Sequence, residues 1–215
     1  MITRASRRGR LSGSEGVVPI AINRQLEIVT QQIVRAKIFF DIWWLCRSDI
    51  TRPLIIETLN DFSEFFRFDE HAHFVSMVIH CAVVWDKGSG KVSLPAVSKL
   101  VLDLKRSCSD KKLSDDISNL AKNAARLVKL RHEAIAHRSA TYDYDEAFRR
   151  AGIIPATLPG LFEGWLNVTN QLRERRGMDH AIFAELPLQH AQRVIHALGG
   201  PDLLPANPLD SLFGN

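Results

Sequence analysis

The segment "KLRHEAIAHRSA", residues 129–140, places Arg131, His132, His137 and Arg138 around a run of small apolar residues, with Glu133 as its one carboxylate. Three chemistries compete for such a cluster: a zinc site, a metal-free acid–base pair, or a basic helix end. Zinc on a helix needs two histidines four residues apart, so that both rings share a face. His132 and His137 are five apart, which turns them about 140° from each other on a regular helix. The other histidines offer no better set. His71 and His73 point to nearly opposite sides of a helix, and His73 and His80 lie ~10 Å apart along one. The face His73–Met77–His80–Cys81 reads as a packed helix face with a hydrogen-bonded imidazole. "GSGK" at 88–91 has neither the spacing nor the Ser/Thr of a phosphate-binding loop. No metal and no cofactor is expected.

Arg131 and His137 suit metal-free chemistry. An imidazole with an ordinary pKa near 6.5 can take or give a proton near neutrality. A guanidinium stays charged and can hold two phosphate oxygens at once. Six residues along a helix leave the pair about 120° apart and ~9 Å apart along the axis. One rigid helix therefore cannot aim both at one phosphate. Either the helix loosens near His137, or a second copy supplies its own pair across a two-fold axis.

The elements that must position this pair are helical. Apolar residues recur with period 3.6 throughout, and nothing alternates with period two for long. The spacing predicts a long helix from Ile20 to about Arg47, wide in its buried arc at Trp43 and Trp44, and a second from Pro53 to Trp85 with a bend near Phe68–Asp69. A turn over 86–91 follows. Ser93 then caps a shorter helix, with Pro95 in its first turn, that runs to about Arg106. Ser114 caps the motif helix, which runs to about Arg138 with Asp115 and Asp116 in its first turn, matching the helix dipole. A loop, "SATYDYD", leads to a short helix ending before Gly152, then "LFEGWLNVTNQLRERR" stopped by Gly177. A last stretch, 179–198, is interrupted by Pro187 and closed by Gly199 and Gly200. The fold class is all-α, a bundle with two long N-terminal helices and the motif on a later one. The expected organisation is a basic flexible tail at 1–16, a helical domain at 17–199 and a Pro-rich tail at 200–215.

Composition sets the outer limits. The 215 residues are 46% hydrophobic with a net charge of +4, enough for one ordinary core and compatible with a polyanionic partner. Cys46, Cys81 and Cys108 form no paired framework, which points to a reducing cytosol and a cytoplasmic location. No apolar run is long enough to span a bilayer, so no membrane partner is expected. Arg4, Arg7, Arg8 and Arg10 are not followed by the apolar stretch of a secretory signal.

"RHEAIAH" resembles the motif of the HEPN superfamily (higher eukaryotes and prokaryotes nucleotide-binding domains): an arginine, a polar residue, and a histidine after four to six intervening residues. "AHRS" and the segment "MVIHCAVVWDKGSGKVSLPAVSKL" look like its AbiU-type branch, associated with bacterial abortive infection, and the likeness runs from about residue 20 to 176. The resemblance implies a metal-independent endoribonuclease of toxin or antiphage type, leaving a 2′,3′-cyclic phosphate and a 5′-hydroxyl. It implies catalytic roles for Arg131 and His137, with His132 orienting a phosphate or the neighbouring imidazole, and RNA contacts from Arg138 and Lys129. It implies RNA as partner, a homodimer with the motif at its seam, and an antitoxin protein. Related toxins often carry a tyrosine two residues after the histidine, a site of nucleotidyl modification; Ser139 stands there, so that route is not carried over. Two alternatives stay open: a catalytically inactive relative that binds RNA or acts as a dimeric scaffold, and a basic stretch that only complements its helix end.

Overall fold

In the computed structural model, the described residues are 17–85, 92–104, 110–136 and 143–203. Along the first long helix, as far as Trp43, buried apolar residues alternate in steps of four and three. On α1 (Val17–Arg47) these are Ile22, Leu26, Val29, Ile33, Ala36, Phe40 and Trp43. That spacing keeps one stripe of a helix facing its neighbours over its whole length. The stripe is covered by α3 (Ser63–Trp85) on one side and α7 (Leu158–Glu174) on the other. The motif helix α5 (Asp110–Ala136) closes the ring by packing on both α3 and α7. Phe40, Phe74, Phe148, Phe162 and Trp165 fill the centre, each at most 2% exposed. Each such ring contributes ~1.5–3 kcal/mol by leaving water.

Four shorter helices complete the fold: α2 (Arg52–Asp61), α4 (Leu94–Leu104), α6 (Tyr144–Ala151) and α8 (Leu186–Ala197), with a 3₁₀ turn at Pro155–Thr157. A second, smaller core joins Leu45, Cys46, Ile55, Leu59, Phe66 and Ile195, where α2 and α8 meet the end of α1. The all-α expectation holds, and no strand occurs among the described residues.

Several boundaries differ from the sequence reading. The stretch expected as one helix from Pro53 to Trp85 is two, broken at Phe62 (φ −117°, ψ 38°) and not at Phe68–Asp69. A straight helix of that length would run ~50 Å. The break lets α2 turn onto the smaller core while α3 follows α1. The motif helix starts at Asp110, so Ser114 lies inside it, and the Ser118 hydroxyl donates to the Ser114 carbonyl. Leu113 and Ile117, both buried at i and i+4, hold that extra turn on the core. Tyr144 and Asp145, expected in a loop, open α6, which Asp143 caps by accepting from the Glu146 N–H. Pro187 does not interrupt a helix but sits in the first turn of α8. The segment before it is held along α7 by Asn170, whose side chain pairs with both backbone groups of Ala181. The turn at 86–91, the tails at 1–16 and 204–215 and the stretch 137–142 lie outside the described residues.

Candidate active site

The direction of α5 follows from two contacts. Arg126 donates to the Gly152 carbonyl at 3.2 Å, and the Lys129 ammonium donates to the Arg150 carbonyl. As α5 advances from 126 to 129, its partners retreat from 152 to 150, so α5 and α6 are antiparallel. The start of α6, Tyr144, therefore lies beyond Arg131 in the direction α5 runs. Tyr144 meets α3 at His71, sharing a hydrogen bond at 3.3 Å, and at Phe74, edge to face at 4.9 Å. The middle of α5 meets α3 at Ala82 and Trp85. Hence α3 and α5 are antiparallel too, and the motif end of α5 points toward His71.

Between α3 and α5 lies a cleft of ≈ 310 Å³ lined by Ala82, Trp85, Ala121, Ala124, Ala125, Val128 and Arg131. Arg131 is the one charged residue in its lining. That residue is half-buried, while His132, one step on, is exposed. Of the expected site residues, then, Arg131 faces a cleft and His132 faces solvent beside it. Lys129 is exposed but engaged at the end of α6. His137 and Arg138 lie outside the described residues.

Sequence reasoning missed the cluster ahead of the motif end. Arg47, in the last turn of α1, lies 5.4 Å over the Tyr144 ring, 3.8 Å from Asp145 and 4.0 Å from Glu70. Arg52 reaches Glu70 at 3.5 Å and donates to the Cys46 carbonyl at 2.8 Å. Burial raises the pKa of Glu70 despite both arginines. Burial, with the charge of Glu70 adding, pushes the Tyr144 phenol up to about 12, so it stays protonated at neutral pH. Only the basic and aromatic residue types were visible in sequence; nothing in their spacing brings residues 47, 70, 71 and 144 together.

The histidine face on α3 resolves as two separate packed rings. His73 bonds Asp69, and His80 stacks on Phe39 and bonds Gln32. Met77 and Cys81 are buried in the core between them. Among the described residues, no group of three His, Cys, Asp or Glu is placed to hold a metal ion. No described helix is long and apolar enough to cross a membrane.

A family model, HEPN_AbiU2 (AbiU2), matches residues 21–172. The chain belongs to the AbiU2 family of HEPN domains. The matched span takes in α1 to α7, and so both walls of the cleft and the motif helix. HEPN domains are generally nuclease or abortive-infection domains. No curated protein and no solved structure matches the chain.

Proposed function

We propose that this AbiU2-family protein is a metal-independent endoribonuclease of the toxin or abortive-infection type, acting as a homodimer. The observation that carries the reading is Arg131 on the wall of an open cleft with His132 exposed beside it, toward the end of the helix whose sequence "RHEAIAH" resembles the superfamily's motif. In the reaction, His137 takes the proton of a ribose 2′-hydroxyl. The 2′-oxygen then attacks the adjacent phosphorus, and the P–O5′ bond breaks. The 5′-oxygen collects a proton from an imidazolium, His137 of the second copy being the candidate. Arg131 holds the non-bridging oxygens as negative charge grows on the pentacoordinate phosphorus. Acid–base help of this kind is worth about 10²–10⁴-fold, and a charge clamp adds as much again. His132 orients the phosphate or the neighbouring ring. Arg138 and Lys129 add positive charge along the RNA path. Cytoplasmic RNA is the substrate, and an antitoxin protein is the natural restraint on such an activity.

The test is cleavage of structured and single-stranded RNA by purified protein in EDTA. Cutting that survives EDTA, ends in a 2′,3′-cyclic phosphate and is lost in Arg131→Ala and in His137→Ala supports the proposal. RNA retarded on a gel but never shortened would identify a catalytically silent binder instead.

A further inference from the structure

Of the histidines on α3, His73 and His80 are half-buried and engaged with Asp69, Gln32 and Phe39, whereas His71 is exposed. The helix repeat fixes where His71 sits. It is eleven residues before Ala82, within about 20° of it around α3, so it extends the side of that helix which walls the Arg131 cleft. On α5, His132 stands four residues after Val128 and seven after Ala125, both in the lining, so it continues the opposite wall.

Two independent registers put the imidazoles at nearly one level. Ala82 and Trp85 of α3 stand against the part of α5 around Ala125, and the two helices are antiparallel. The eleven to fourteen residues from these back to His71 match as many forward along α5, which brings His71 level with the end of that helix at Ala136. The second register runs through α6. Lys129 meets the Arg150 carbonyl, so Tyr144, six residues before Arg150 on the antiparallel α6, is level with the same last turn of α5. Tyr144 in turn shares a hydrogen bond with His71 at 3.3 Å. His71 and His132 therefore stand ~5–8 Å apart along the axes of two packed helices, on facing walls.

We infer that His71 is a further RNA-contacting residue of this site, its imidazole holding a backbone phosphate next to the one at Arg131. The inference rests on the nuclease reading above and adds a residue that lies outside its motif. The Tyr144 hydroxyl takes Nδ1, so the phosphate contact falls to Nε2, the other ring nitrogen. Tyr144 is itself fixed edge to face on Phe74 at 4.9 Å and under Arg47, 5.4 Å from its ring. An imidazole anchored in this way loses less freedom on binding than a loose surface side chain. The carboxylates of the corner are countered: Glu70 and Asp145 each lie within 4.0 Å of Arg47, and Arg52 also reaches Glu70. Side chains lean toward the N-terminus of their helix, so Arg131 leans toward Ala82 and Trp85, away from His71. The two cations therefore serve different phosphates of one strand.

The test compares His71→Ala, His71→Lys and Tyr144→Phe in the full chain, by steady-state cleavage and by fluorescence anisotropy with a fluorescein-labelled, mixed-sequence single-stranded RNA. His71→Ala should raise KM and the RNA Kd about tenfold, the worth of one hydrogen bond to a charged group, with kcat little changed. His71→Lys keeps a cationic donor and should recover most of that loss. Tyr144→Phe breaks the same bond between α3 and α6 but keeps the imidazole, so its KM should rise by a smaller factor at a melting temperature matching that of His71→Ala. An unmoved KM and Kd in His71→Ala overturns the contact and leaves the nuclease reading standing. Equal losses in all three variants also overturn it, by showing that the bond to Tyr144 is only a structural tie. A parent that binds this RNA without cutting it overturns the nuclease reading, and the Kd series then upholds or removes the contact by itself. A parent that neither binds nor cuts overturns both.

Discussion

Tyr144 and His71, 73 residues apart in the chain, share a hydrogen bond at 3.3 Å, and this contact ties the start of α6 to α3 where the motif helix ends. Tyr144→Phe removes the hydroxyl and leaves the ring against Trp43 and Phe74. A loss of ~0.5–1.5 kcal/mol in urea unfolding is expected, the usual worth of one such bond. Tyr144→Ala, which also empties the ring's place, should cost ~3–5 kcal/mol. Equal losses for the two variants would mean that the hydroxyl, not the ring, holds this corner.

His132 is exposed and Arg131 half-buried, which separates folding from function. His132→Ala should leave stability within about ±0.5 kcal/mol of the parent, as surface changes do, while lowering RNA cleavage. A fall in melting temperature matching the fall in activity would assign His132 a structural part instead.

Arg173 is 8% exposed on α7. It donates to Glu27 at 2.6 Å, to the Thr30 hydroxyl at 3.3 Å and to the Asp179 carbonyl at 2.7 Å. The fork joins α7, α1 and the chain leaving Gly177. Arg173→Met should cost roughly 1–3 kcal/mol by stranding these acceptors. Arg173→Lys should recover little, since one ammonium cannot reproduce the fork. Full recovery by lysine would show that charge alone matters there.

The two α3 histidines should pull the pH profile of stability in opposite directions. Burial works against the charged form of His73, but the bonds and charge of Asp69 outweigh it and its pKa is raised. Burial, then the charge of Arg35, lowers that of His80. With a raised folded pKa, His73 adds stability below the unfolded value near 6.5 and loses it as pH rises through the folded value. With a depressed one, His80 adds stability above the unfolded value and loses it as pH falls through the folded value. His80→Gln should therefore make the protein gain more, or lose less, than the parent on going from pH 8 to 5.5, and His73→Gln the reverse. Melting temperatures across that range decide it; profiles parallel to the parent's would contradict both assignments.

Gly200 follows Gly199, whose φ of 93° suits glycine. A Cβ on Gly200 would lie 2.6 Å from Ile195 Cγ2 and 2.9 Å from its carbonyl oxygen. Gly200→Ala should cost ~1–3 kcal/mol by forcing α8 off the smaller core. Since α8 lies away from the cleft, RNA cleavage at low temperature should persist.

The sequence by itself determined the all-α class, because steps of three and four among buried residues such as Ile22 to Trp43 have one periodic solution. It also singled out Arg131, His132 and His137, since residue type and spacing are local properties. The break at Phe62, the early start of α5 and the meeting of Arg47, Glu70, His71 and Tyr144 were not legible there. Each depends on which helix lies against which, and that is settled by filling a shared core rather than by any one segment's preference. The same holds for the cleft beside Arg131: its alanines read as ordinary helix residues, and only the antiparallel packing of α3 on α5 turns them into walls.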